Sequence, residues 1–272
     1  MNLKKAICAR TFRNWKAGEV FRYLGEIGYD GVEIDPYAFA GSAGKIGQAK
    51  RRDIRRSAVA CGLEVVGIHS VTRSPDSRIC INHPSASVRA GTVKQLRDLV
   101  SFCGDIGGGI LVFGGSRERN LQPDMDPRRA WVNAVESFEQ LLETAEDESV
   151  TICLEPLSHR LTNFVTTASE AKRMVEEIDH PNFRMMLDVR SASDEDRPLP
   201  DLIRESAPHL AHFHANDDGG GGPGSGSADY HAISTALGEI GYRGYLSVEV
   251  FNYENPSGIA ADSLDFLRNI FD

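Results

Sequence analysis

Short apolar runs in this chain close on side chains that can bind a cation or move a proton. They include Val32-Glu33-Ile34-Asp35, Gly67-Ile68-His69, Cys153-Leu154-Glu155, Met186-Leu187-Asp188, His212-Phe213-His214 and Ser247-Val248-Glu249. A single carboxylate at the end of an apolar run often does no more than cap the next helix. Here the last four runs each supply an acid or an imidazole in succession. Glu155, Asp188, His214 and Glu249 together make a hard, mostly oxygen donor set, suited to one divalent metal ion, Mn²⁺ first, with Mg²⁺, Zn²⁺ or Co²⁺ as alternatives. Three converging carboxylates without a cation would repel each other and be driven toward protonation. An ion removes that cost and leaves positions open for a substrate to chelate. Each residue also has a structural reading. Glu155 before Pro156 could sit in a turn, Asp188 could cap the loop that follows it, and Glu249 could pair with an arginine. His69, His212 and Glu33 are read either as substrate contacts or as satisfied core groups. Arg190 is read either as a positive charge for the substrate or as half of a surface ion pair.

The elements that must carry these residues alternate. Apolar, β-branched runs fall at 4–9, 31–34, 63–69, 109–113, 150–155, 183–188, 210–214 and 245–250. Each is short and apolar throughout, as expected of a parallel strand covered on both faces. Helical stretches lie between them. Glu19–Ile27 stops at Gly28, Asp126-Pro127 reads as a cap followed by a first-turn proline, and Thr167 with Glu170 reads as a capping box. Residues 45–61, 88–103, 199–205, 230–240 and 258–270 complete the helices, and Met125–Ala145 reads as one continuous helix. Eight such units in 272 residues predict a single (β/α)8 barrel spanning 1–272. No G-x-G-x-x-G follows the first run, which argues against a dinucleotide-binding open sheet. Leu24-Gly25-Glu26-Ile27-Gly28-Tyr29 recurs as Leu237-Gly238-Glu239-Ile240-Gly241-Tyr242, read as the same helix-to-strand turn used twice. The tract Asp217–Ser227, DDGGGGPGSGS, reads as a flexible loop at the active end. Since strand residues alternate, one of His212 and His214 is expected to face the interior and the other the helices. His83 falls in the long loop after the third strand, which could form part of a lid. Trp15 and Phe113 are read as core packing, with a wall against a sugar face as the alternative.

Bulk properties limit the function. Apolar residues make up 41% and charged residues 25% of the chain, which is a globular composition. A formal net charge of −9 argues against gripping a phosphate backbone, so no nucleic-acid partner is expected. The cysteines Cys8, Cys61, Cys80, Cys103 and Cys153 are odd in number and form no C-x-x-C, so free core thiols in a cytoplasmic protein are expected. No apolar run is long enough for a signal peptide core or a membrane span. The expected partner is a small carbohydrate. A homo-oligomer is compatible with the chain, and nothing in the sequence sets the number of copies.

The motifs Leu154-Glu155-Pro156-Leu157, Met186-Leu187-Asp188, His212-Phe213-His214 and Ser247-Val248-Glu249 resemble the xylose-isomerase-like barrel family of sugar and sugar-phosphate isomerases and epimerases. Leu111-Val112-Phe113-Gly114 with Arg119-Asn120 also looks like uncharacterised members of that family. The resemblance covers essentially the whole chain. It implies a Glu, Asp, His, Glu metal shell at Glu155, Asp188, His214 and Glu249. It also implies that Glu155 and Glu249 act from opposite sides of a carbon next to a carbonyl, one removing a proton and the other returning one through an enediolate. The expected activity is a metal-dependent isomerase or epimerase of a small sugar, keto-sugar or polyol. Alternatives are a dehydratase of a keto-sugar or keto-inositol and a barrel that binds ligand without turnover. A DNA-repair endonuclease on a similar barrel would need more histidines than the eight present. Two departures stand out. Many relatives carry a histidine three residues after the aspartate, where this chain has Ser191. Epimerase relatives place an arginine shortly after the seventh strand, where this chain reads Asn216-Asp217-Asp218-Gly219-Gly220.

Overall fold

The structure is a computed structural model and describes residues 2–69, 71 and 79–272. Eight parallel strands close into a barrel in sequence order: β1 Lys5–Cys8, β2 Gly31–Ile34, β3 Glu64–Ile68, β4 Ile110–Phe113, β5 Thr151–Leu154, β6 Phe183–Asp188, β7 Leu210–Ala215 and β8 Leu246–Val248. The register closes through Ile7 opposite Val248. Helices cover the outside: α1 Ala17–Ile27, α2 Gln48–Ala60, α3 Ala86–Asp105, α4 Pro127–Glu139, α5 Leu142–Asp147, α6 Ala168–Ile178, α7 Val189–Ala192, α8 Leu199–Ser206, α9 Tyr230–Glu239 and α10 Pro256–Phe271. Among the described residues no helix is long and apolar enough to cross a membrane.

Local chemistry explains most boundaries. Asp126 accepts a hydrogen bond from the Arg128 amide with Pro127 in the first turn, and Thr167 accepts from the Glu170 amide. The repeated LGEIGY segment makes the same turn twice. Gly28 and Gly241 take positive φ of 94° and 66°, and the Tyr29 and Tyr242 amides each donate to the carbonyl of the leucine five residues earlier. The expected continuous helix 125–145 is broken. Chain turns at Gln140 and Leu141, where the Leu141 amide bonds the Phe138 carbonyl, and both Leu141 and Leu142 enter the core.

Two packing layers result. Outward strand residues such as Ile7, Val32, Phe113, Leu154 and Phe213 join the helices in the main core. Inward residues Val112, Cys153 and Met186 pack on one another inside the barrel. Gly114, Glu155 and Asp188 lie two residues beyond these three. Alternation along a strand therefore aims them along the same inward face, one level higher, at the mouth.

Candidate active site

At the C-terminal mouth, Glu155, Asp188, His214 and Glu249 each present a ligand atom, and these atoms lie within 4.8 Å of one another. Glu155 and Glu249 stand just past β5 and β8, where their amides bond the Phe113 and Ala215 carbonyls of the adjacent strands. Asp188 and His214 are register partners across β6 and β7. The Nδ1 atom of His214 lies 3.1 Å from a Glu249 oxygen and 3.8 Å from an Asp188 oxygen. It is buried and makes no hydrogen bond. A buried imidazole that turns one ring nitrogen toward three carboxylates is the donor arrangement of a cation site. The residues therefore fit the metal ion that the donor set implies.

Neighbours fix each of these groups. Asp188 accepts the Ser191 amide at 2.7 Å on one oxygen and the Asn216 side-chain amide at 2.6 Å on the other. The capping role considered for Asp188 is thus real, and it coexists with its place in the cluster, since α7 starts on it. Ser191 also donates its hydroxyl to Glu155 at 3.3 Å, so the residue at the position where many relatives have histidine braces two members of the cluster. Gly114 makes room for Glu155. A Cβ there would lie 1.9 Å from the Glu155 carboxylate. Arg119 is 1% exposed and donates to the carbonyls of Phe113, Gly115 and Glu155, tying the ends of β4 and β5 together. Burial pushes its guanidinium down to about 10 against the pull of Glu155.

The electrostatics without a cation are unfavourable. Burial first, then the charges of Asp188 and Glu249, holds the Glu155 carboxyl well above its usual range. Burial and Glu249 raise Asp188. Burial also works against Glu249, but His214 outweighs it and leaves that carboxyl low. His214 is raised well above an ordinary imidazole. Burial opposes this, and Glu33 and Glu249 on either side overcome it.

The other expected site residues divide into two groups. His69 and Arg190 line a cavity of about 550 Å³ above the cluster, together with Glu155, Ser191 and Glu249. The His69 Nδ1 atom is 3.9 Å from Glu249, and the Arg190 guanidinium lies 4.4 Å over the Phe251 ring. Glu33 and His212 do not line this cavity. They are 0% and 1% exposed and lie beneath it. The Glu33 carboxylate takes the Nε2 atoms of His212 at 2.9 Å and His214 at 3.2 Å. Burial would raise the Glu33 carboxyl, but the two imidazoles hold it well below the usual range. What it grips is the far nitrogen of His214, which leaves Nδ1 aimed at the mouth. Both histidines point inward, with ring centroids 5.1 Å apart. The expectation that they face opposite ways is corrected, because residues two apart on a strand share a face.

The 217–227 tract is wound around the buried Asp217, whose carboxylate accepts the amides of Asp218, Gly224 and Ala228. Its glycine content supplies tight turns and not the slack its composition suggests. Phe113 packs on Phe138, with centroids 5.1 Å apart, and Trp15 packs on Phe12 at 5.2 Å. The His83 ring accepts the Ser85 amide. The lid expected of the loop after β3 falls largely on residues 70 and 72–78, outside the described residues. Arg119 and Asn216 were not singled out for the site. The only sequence signal for Asn216 is its position directly after the inward histidines, and Arg119 has none beyond the family resemblance.

Residues 21–270 match the xylose isomerase-like TIM barrel family. The chain belongs to this family. Curated relatives include the 3-dehydro-D-guloside 4-epimerase of Escherichia coli (strain K12), 27% identical over 259 residues, 92% of this chain and 93% of that protein. The D-psicose 3-epimerase of Agrobacterium fabrum (strain C58) is 25% identical over 240 residues, 87% of this chain and 80% of that one. The D-psicose 3-epimerase with D-tagatose from Clostridium cellulolyticum H10 superposes with a TM-score of 0.84 at 21% identity, over 99% of this chain and 100% of that one. That level of identity shows the fold alone.

Proposed function

We propose that this chain is a sugar isomerase/epimerase that inverts a carbon next to the carbonyl of a keto-sugar. Membership of the family and curated relatives named as 3- and 4-epimerases support that class. The observation that carries the mechanism is the convergence of four ligand atoms within 4.8 Å around an unbonded His214 Nδ1. Glu155, Asp188, His214 and Glu249 would hold one divalent ion. That ion, Mn²⁺ by the preference of the donor set, would supply Lewis acidity beside the substrate carbonyl.

The remaining work belongs to side chains. Glu155 and Glu249 rise from strands on different sides of the cluster and reach the cavity from two directions. One carboxylate oxygen removes the proton from the carbon beside the carbonyl, and a carboxylate on the other side returns one. Which of them acts as base depends on the direction of the reaction. Ser191 and Gly114 fix the orientation of Glu155, and Asn216 with the Ser191 amide fixes Asp188. Leu157, Leu161, Val112 and Phe251 give the cavity apolar walls that limit water around the intermediate.

The test uses keto-sugars in D₂O with added Mn²⁺. Solvent deuterium should enter the inverted carbon of the recovered sugar. Glu155→Gln and Glu249→Gln should each lower turnover by about a thousandfold or more while circular dichroism stays that of the parent. Turnover that survives both substitutions refutes the roles. An absorbing enone in place of exchanged sugar would make the enzyme a dehydratase.

A further inference from the structure

The mouth cavity has a neighbour. A second cavity of about 890 Å³ lies beside it, and Arg10 lines both. The 3-10 turn Ala9–Phe12, directly after β1, is therefore the wall they share. Both volumes fall in the range of small-molecule sites, about 300–1,000 Å³. A free monosaccharide bound over the carboxylate cluster would leave the second cavity to water.

The lining of the second cavity has a definite chemistry. Trp15, Tyr37 and Phe39 are half-buried and present aromatic surface, backed by the fully buried Phe12. Arg10, Arg13, Lys16 and Lys50 bring positive charge. Three of these cations already lie on rings, Arg10 among them at 5.6 Å over Tyr253. Lys50 sits 5.6 Å over Phe39, and Arg13 sits 3.3 Å over Tyr253. Among the described residues no carboxylate pairs with any of the four heads. The lining contains one acid, Asp35, which accepts the Tyr37 amide. Four cations around one aromatic cavity go against the grain of a chain with a net charge of −9. Aromatic plates take a flat apolar ring, and a cationic rim selects an acid.

We infer that the substrate is a glycoside whose keto-sugar ring lies over Glu155 and Glu249 and whose aglycone, an aromatic ring bearing a carboxylate, fills the second cavity. This inference rests on the keto-sugar reading of the mouth. Arg10, at the shared wall, faces the junction between sugar and aglycone. Trp15 and Phe39 flank the ring, and Lys16 and Lys50 face the carboxylate.

The test measures binding and does not depend on turnover. The probes are 4-carboxyphenyl β-D-glucoside, phenyl β-D-glucoside and D-glucose, none of which carries the ketone. They are titrated calorimetrically into the Mn²⁺-loaded enzyme. The same titrations in Trp131→Phe protein leave Trp15 as the fluorescent reporter, since the chain has two tryptophans. The acid should bind about tenfold tighter than the phenyl glucoside, the worth of one charge-assisted contact, and should quench Trp15. Lys16→Glu/Lys50→Glu, at two exposed positions, should abolish the advantage of the acid and leave the phenyl glucoside close to its original affinity. Equal affinities for acid and neutral glucosides, or an advantage that survives charge reversal, overturn the inference. Loss of turnover in the Glu155 variant bears on the reaction alone, so the two readings fail separately.

Discussion

The two ends of this barrel treat charge in opposite ways. At the base, Lys4 meets Glu64 at 2.5 Å with both side chains more than half exposed, and the Tyr245 hydroxyl bonds the same carboxylate. Lys4 and Tyr245 hold the Glu64 carboxyl low. Lys5, nearly buried, closes on Asp272. Each of these four charges has its opposite. At the mouth, Glu155 and Asp188 are buried at 5% and 1% exposure, converge on a third carboxylate, and are raised by burial and mutual repulsion. A fold would not retain such a cluster for its own stability. The base pairs opposite charges, and the mouth gathers like ones.

The contrast can be broken most severely at Gly114. Alanine there puts a methyl where the Glu155 carboxylate now lies, 1.9 Å from its oxygen. Glu155 must move by about an ångström, and a displacement of that size costs on the order of a hundredfold in rate. The expected result for Gly114→Ala is a fall of that order in kcat with an unaltered circular dichroism spectrum. A parent-like kcat would mean that Glu155 does not need its present orientation.

The comparison also explains what could be read from the sequence. Strand order was legible because parallel strands are apolar on both faces and stand out as runs. The four residues of the cluster were legible because each is a polar residue ending such a run. Glu33 and His212 were visible by the same rule, but a run shows only that a residue is near the mouth and not at what depth. Depth depends on register between strands: Glu33 pairs with Cys8, and His212 with Met186, one inward level below Asp188. Arg119 was opaque for another reason. It sits in a loop, where an arginine ordinarily reads as a solvated charge, and its role appears only once three carbonyls from the ends of β4 and β5 surround it. The glycine tract after β7 misled by composition, since one buried aspartate organises it.

A second prediction sharpens the claim that the mouth is strained when empty of cation. In metal-free protein, Glu155→Gln removes a carboxyl whose ionisation is opposed by burial and by Asp188 and Glu249, and should raise stability by about 0.5–2 kcal/mol, in the manner of other stabilising substitutions at functional sites. With Mn²⁺ present the sign should reverse, because the parent binds the ion to its folded state more tightly. Thermal unfolding of both proteins with chelator and with Mn²⁺ reads this directly. If the variant is less stable under both conditions, the carboxylate is structural and the contrast between the two ends fails.

The smallest effect is expected at the base. Glu64→Gln removes an exposed pair worth at most about 1 kcal/mol. Because the folded protein holds Glu64 below its usual range, the contribution of that carboxylate is fully present above the unfolded value, about 4.3, and is lost as pH falls through the lower folded value. The variant should therefore melt slightly earlier than the parent at pH 7, and the two should converge in acid. Its kcat should match the parent, since Glu64 starts β3 at the end of the barrel opposite to the cluster. A change in kcat without a change in melting would mean that the base communicates with the mouth, and the division of labour between the two ends would have to be abandoned.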